Sequence, residues 1–121
     1  MGQTTGFLTK SLTATARIPA RRFVAFGAAD GTGVPATNKG AFIYGVSSDI
    51  DTEVGQRASV HSTGNIADID YGAAITRGDP LTCDAQGRAV PAVDGDFIGG
   101  FAEVSGVLGD IGTCIVVPGI R

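Results

Sequence analysis

The sequence predicts an all-β protein: a small closed or partly open β-barrel or sandwich, built from two similar units of about 55 residues and preceded by an extended N-terminal arm. Three observations carry this. One unit is written twice. Short β-like runs are separated by turn residues every eight to twelve positions or so, the spacing of sandwiches and barrels. No segment has the 3.6-residue period of a long amphipathic helix.

The duplication joins residues 18–64 to residues 75–119. Arg21 matches Arg77, Gly31 matches Gly87, and Val34-Pro35-Ala36 matches Val90-Pro91-Ala92, all at an offset of 56. After a one-residue slip the offset is 55, pairing Phe42-Ile43 with Phe97-Ile98, Gly45 with Gly100, Val60 with Ile115 and Gly64 with Gly119. A unit this short seldom buries its own apolar face, so the two copies are expected to close around one shared core as a single domain over residues 18–121. What recurs is Gly, Pro and β-formers. Apart from the arginines no titratable residue is repeated, so the duplication carries architecture and not chemistry.

The elements follow in order. Residues 1–17 are Thr-rich and lack a consistent period, which reads as an arm anchored by Phe7, Leu8 and Leu12. Strands are predicted at 22–26, 41–47, 57–62, 66–70, 73–76, 80–84, 88–91, 96–104 and 113–117. Asp30-Gly31 and Gln86-Gly87 place glycine where a hairpin needs positive φ, and each leads into a strand entering Val-Pro-Ala. Proline cannot donate to a ladder, so the strands holding Pro35 and Pro91 are edges or end there. Gly45 and Gly100, inside strand patterns, predict bulges or bends. The core is expected to draw on Phe23, Phe26, Phe42, Ile43, Val60, Ile75, Leu81, Phe97, Ile98, Phe101, Ile115 and Val117.

Composition bounds function. The chain has 121 residues, 43% of them apolar and only 17% charged, with 19 glycines and no tryptophan. So little charge implies that much of the surface meets partner protein. A net charge of −3 argues against nucleic acid, which needs a basic face. Residues 1–29 hold Lys10, Arg17, Arg21 and Arg22 and no acid, whereas the remainder holds five basic and twelve acidic residues. A basic head on an acidic body suits contact between copies, or with an acidic partner. No apolar stretch reaches the length of a membrane span, no secretory core is present, and Gly6 stands where a myristoylation signal needs Ser or Thr. The chain is read as soluble and unprocessed. Cys83 and Cys114 occupy non-equivalent positions in apolar runs and read as buried free thiols.

Motifs with a chemical reading give way to simpler ones. Arg77-Gly78-Asp79 is an adhesive tripeptide, but Gly-Asp-Pro also makes a turn between strands. Asp49-Ile50-Asp51-Thr52-Glu53 alternates carboxylates without the glycine and glutamate that a Ca²⁺ loop requires at its sixth and twelfth positions. Gly27 to Gly33 is glycine-rich but lacks the Gly-Lys-Ser/Thr of a phosphate loop. His61 is the sole histidine, and no nucleophile, base or ligand set assembles around it. The sequence calls for no catalytic residue, cofactor or metal.

The run from Tyr71 to Ala92, followed by Phe97-Ile98-Gly99-Gly100-Phe101-Ala102, resembles the head decoration, or capsid cement, proteins of tailed phages. In that family a Gly-Asp strand leads to Asp-x-x-Gly-Arg/Lys, then a Val-Pro-Ala strand and an Ile-x-Gly-x-Ala strand. Here these are Gly78-Asp79, Asp84-Ala85-Gln86-Gly87-Arg88, Val90-Pro91-Ala92 and Ile98-Gly99-Gly100-Phe101-Ala102, and the resemblance covers about residues 40–119. It implies a non-enzymatic virion protein, made in the host cytoplasm, that binds the outside of the assembled capsid. There it would cement neighbouring major capsid protein subunits, as a homotrimer or, in second place, a dimer, with no nucleic acid or membrane partner. Phe7, Leu8, Lys10, Leu12, Arg17, Arg21 and Arg22 are the candidate contacts to the shell or to an adjacent copy. Two alternatives stand beside it: another virion module of tail, spike or fibre, and a small-ligand or carbohydrate-binding barrel. The second is disfavoured by only two tyrosines, Tyr44 and Tyr71, and no tryptophan to stack on a sugar.

Overall fold

The computed structural model describes residues 9–121. They form ten strands: β1 (Thr9–Ala14), β2 (Phe23–Phe26), β3 (Thr32–Pro35), β4 (Gly45–Ser47), β5 (Arg57–His61), β6 (Ile66–Asp70), β7 (Pro80–Cys83), β8 (Ala89–Pro91), β9 (Phe97–Ala102) and β10 (Ile111–Ile120). The period of two is plain in β5, where Ala58 and Val60 point inward between exposed Arg57 and Ser59, and again in β6 with Ala67 and Ile69. β3 and β8 both end at their prolines, as expected.

The first five strands close a barrel in the order β1-β3-β2-β4-β5, and the last five form a sheet in the order β6-β10-β9-β7-β8. These are one topology. Taken in chain order, β1 to β5 correspond to β6 to β10, and β2 pairs with β3 and β4 as β7 pairs with β8 and β9. The units differ at one seam. In the first, β1 and β3 pair in parallel at Thr13–Thr32 and Ala14–Gly33, which closes the barrel. In the second, only the equivalent bridge between Tyr71 and Ala89 forms.

The seam stays open because the first unit occupies it. Asp70 N–H donates to the carbonyl of Arg21 at 3.0 Å, and Phe23 N–H donates to the carbonyl of Gly87 at 2.8 Å, so residues 21–23 lie between β6 and the turn before β8. Through this opening Phe23, Ile43 and Val46, all fully buried, enter one cluster with Ile69, Leu81, Cys83, Ala89 and Val116. A second cluster of Leu12, Ala14, Ile18, Val24, Ala58 and Val60 fills the first barrel alone.

The all-β class, the small barrel and the duplication hold, with four corrections. The expected arm contributes a barrel strand: residues Thr9 to Thr13 pair with His61 to Arg57. Each repeat therefore begins one strand earlier than 18 or 75, with β1 matching β6 at an offset of 57. The offset shrinks along the unit, because loops shorten, until Val60 and Cys114 hold the same place opposite Ser47 and Ala102. Val60 thus corresponds to Cys114, not to Ile115. Second, the duplication makes two five-stranded sheets with one shared and one private core, not one barrel around a common core. Third, residues 73–76 form only a bridge from Ile75 to Gly106, and the strand predicted at 41–47 shortens to β4. Fourth, Gly45 and Gly100 mark close strand crossings and not bulges, since a Cβ at either would overlap the carbonyl oxygen of His61 or Ile115 respectively. The bulge in β10 lies between Val116 and Gly119.

Of the expected core, Phe23, Ile43, Val60, Ile75, Leu81 and Ile98 are buried. Phe26 (55% exposed), Phe42 (42%), Ile115 (37%) and Val117 (37%) are not. Cys83 and Cys114 are buried free thiols, as expected.

Candidate interaction surfaces

The basic head does not project outward as a charged patch. Arg17 pairs with Asp51 at 2.7 Å and with Glu53 at 3.1 Å. Arg21 and Arg22 grip opposite oxygens of one carboxylate, Asp70, at 2.9 and 3.0 Å. Arg22 also donates to the Gln86 carbonyl at 2.8 Å, while its own N–H donates to Ser47 Oγ. These arginines are engaged within the chain: they neutralise part of the acidic body, and two of them lace the first unit to the second. Arg21 holds a left-handed backbone, φ 56°, and the strand registers match it, at an offset of 57, to Gly78, φ 93°, and not to Arg77 as the sequence alignment has it. Its bond to Asp70 also raises its pKa above the usual arginine value.

Asp51 is fixed from the other side. The N–H of Ala20 donates to it at 2.8 Å, and this bond, aided by Arg17 and Arg21, holds its pKa below the usual carboxylate value. Leu12 is 3% exposed and packs in the core of the first barrel, at the floor of its open mouth. Lys10 is exposed at the barrel mouth. Phe7 and Leu8 lie outside the described residues.

Sequence reasoning missed two apolar surfaces. The first is built on a recurrent turn. Residues 53–56, 76–79, 93–96 and 107–110 share a glycine at the third position with φ between 89° and 94°. In each, the fourth residue's N–H donates to the first residue's carbonyl, as a glycine-dependent type II turn requires. The fourth side chain, Gln56, Asp79, Asp96 or Asp110, accepts the first residue's N–H in return. Asp79 of the Arg-Gly-Asp tripeptide is thus a turn brace, with Thr76 N–H at 2.8 Å. At the second position of two repeat-related turns stand Val54 and Leu108, 65% and 60% exposed. Two rigid tips therefore each present one bulky apolar side chain to solvent. Val107 and Ile111 enlarge the second tip, at 59% and 58% exposed.

The second surface is the mouth of the first barrel. Lys10, Leu12, Phe26, Tyr44 and the β2–β3 turn line an open cavity of about 570 Å³. The Phe26 ring stacks on Phe42 at 5.6 Å and lies 4.8 Å from Tyr44. Phe42 meets Phe97 of the second unit edge-on at 6.4 Å.

Among the described residues no group of three or more His, Cys, Asp or Glu side chains is placed to hold a metal ion. Among these residues, too, no helix is long and apolar enough to cross a membrane. The arrangement is one of presented surfaces on a braced frame.

No curated protein sequence matches the chain. The N base of the head fibre protein gp8.5 of bacteriophage phi29 superposes with a TM-score of 0.71 at 20% identity, over 92% of this chain and 94% of that one. At that identity the likeness is one of fold. The sequence model of the phage cement proteins matches residues 2–110, nearly the whole chain, and on this match the protein belongs to the phage cement protein family.

Proposed function

We propose that this virion structural protein binds the outer surface of the assembled capsid and bridges neighbouring major capsid protein subunits, stabilising the expanded shell. Family membership over residues 2–110 carries the reading. The surface supports it: the arginines of the head are spent on internal pairs, and what the frame presents is apolar, chiefly the tips at Val54 and Leu108. These tips, with Lys10 beside the barrel mouth, are the shell contacts in this reading. The protein is made in the host cytoplasm and joins the shell as a homotrimer, whose closed symmetry matches three-fold axes; a dimer at two-fold axes is second.

The mechanism is mass action. A protein that binds only the expanded lattice stabilises it by RT ln(1 + [L]/Kd), about 3–4 kcal/mol per site at a hundred- to thousandfold excess over Kd. Many such bridges add up against internal DNA pressure.

Cosedimentation with expanded capsids and with unexpanded procapsids tests this. Saturable binding to expanded shells at a multiple of sixty copies, reduced by the double variant Val54→Ser, Leu108→Ser with an unchanged melting temperature, is the expected result. Binding to neither shell by a well-folded protein overturns it, and recovery on tails would move the protein to that structure.

A further inference from the structure

The duplication leaves one interface made and both of its halves unmade. On the outer face of the first unit, His61, Val46 and Phe23 are cross-strand partners in one row. Val46 and Phe23 are fully buried because this row enters the open side of the second unit's sheet. The matching row of the second unit is Ile66, Ile115, Phe101 and Pro80, again in register across four strands. It faces outward: Ile66 is 60% and Ile115 37% exposed, and Phe101 and Pro80 are half-buried.

The receiving side is duplicated too. In the second unit the entering residues meet Ala67, Ile69 and Cys83, all buried, and the bare backbone of Gly99. Their counterparts in the first unit are Lys10, Leu12, Phe26 and Tyr44, which line the open 570 Å³ mouth. One end of the chain thus exposes an apolar row and the other an aromatic mouth, and the chain already joins the first version of that row to the second version of that mouth. The flanking charges also match. Lys10 lines the mouth, while Asp68 and Glu103 lie on the outer face one row from Ile115.

We infer that the row of Ile66, Ile115, Phe101 and Pro80 lies across the Phe26–Tyr44 mouth of a second copy of this chain, against its aromatic rim and not inserted as Phe23 is, since the β1–β3 pairing and Tyr44 close that barrel to such entry. It rests on the self-association proposed above and assigns its surfaces. Such a contact is head-to-tail, so it closes into a ring or propagates, and it is not two-fold symmetric.

Complementation of free protein, followed by sedimentation velocity, tests this without capsids. Ile115→Lys breaks the row and Phe26→Lys the mouth, and the two lysines repel if the broken surfaces meet. Each variant alone is expected to lose assembly and run as a monomer, with a native circular dichroism spectrum. An equimolar mixture retains one intact row and one intact mouth on different chains, so it yields two-chain complexes and nothing larger. Should either variant fold poorly, Ile66→Lys and Phe42→Lys replace them on the same surfaces. Single variants that keep the wild-type assembly, or a mixture that stays monomeric, overturn the inference. A wild-type monomer that still cosediments with expanded capsids overturns it while leaving the capsid reading intact.

Discussion

The ring of Phe23, in the first unit, lies directly on the backbone of Gly99, in the second, so closely that any Cβ at position 99 would overlap it. This pair is where the two repeats become one structure. Phe23 is fully buried in the shared cluster, and Gly99 is the position whose counterpart in the first unit is the large Tyr44. The second unit can receive a phenyl ring because it gave up its own aromatic there.

Gly99→Ala should therefore destabilise the protein by about 1–3 kcal/mol, the usual cost of overpacking a filled core. Phe23→Ala should cost about 3–5 kcal/mol by leaving a cavity. Urea unfolding at equilibrium checks both. In the double variant the methyl at position 99 enters the vacated space, so its loss should fall short of the sum of the single losses. Strict additivity would mean that the two residues do not share this contact.

Arg21 joins backbone strain to an ion pair. A side chain at φ 56° costs roughly 1–2 kcal/mol relative to glycine, yet arginine stands there because its guanidinium reaches Asp70 across the unit boundary. Arg21→Ala keeps the strain and loses the pair, whereas Arg21→Gly loses both. The glycine variant should accordingly be the more stable of the two by about 1 kcal/mol, less the greater chain entropy of unfolded glycine. Thermal melts of the two variants side by side measure this. An alanine variant equal to or better than glycine would remove the strain from the account.

How much of this was legible in the sequence depended on what each residue must do locally. β5, β6 and β7 through β9 were readable because Ala58, Val60, Ala67, Ile69 and Leu81 alternate with polar or small neighbours between glycine turns. β1 was not, because a narrow barrel asks its strand for only Leu12 and Ala14 inside, and Thr-Lys-Ser-Leu-Thr-Ala looks like a polar arm. Its signal was present in the repeat, since β6 projected back by 57 residues falls on Thr9 to Thr13. The arginine partners were hidden for a different reason: Arg21 and Asp70 are 49 residues apart, and only the packing of one unit into the other brings them together. The tips at Val54 and Leu108 share a turn glycine one residue on, but nothing local says that their side chains stay in solvent.

Asp51 predicts an acid-sensitive tether. Its pKa is lowered in the folded protein, chiefly by the Ala20 N–H, then by Arg17 and Arg21. A depressed carboxylate stabilises the fold above its unfolded pKa, and that contribution is lost as pH falls through the folded value. Asp51→Asn keeps an oxygen to accept from Ala20 but cannot ionise, so it should be less stable than wild type at neutral pH and converge with it in strong acid. Denaturation midpoints across the acid range check this. A constant gap between the curves would mean that the Asp51 charge plays no part.

The two thiols give a readout of the cores themselves. Cys114, on β10 opposite Ala67 and Ala102, is fully buried, and burial pushes its pKa up to about 12. Cys83, on the wall that receives Phe23, is 2% exposed and is also raised by burial. Since the thiolate is the reacting form, both should resist a thiol-specific reagent at mildly alkaline pH in the native protein and both should react in denaturant. Opening the junction with Phe23→Ala gives Cys83 a route to solvent while Cys114 stays enclosed by its own sheet. That variant should label at one cysteine, and peptide mapping should find the label on Cys83. Equal labelling of both would mean that the variant had loosened the whole second unit, and no labelling would mean that Phe23 does not guard that wall.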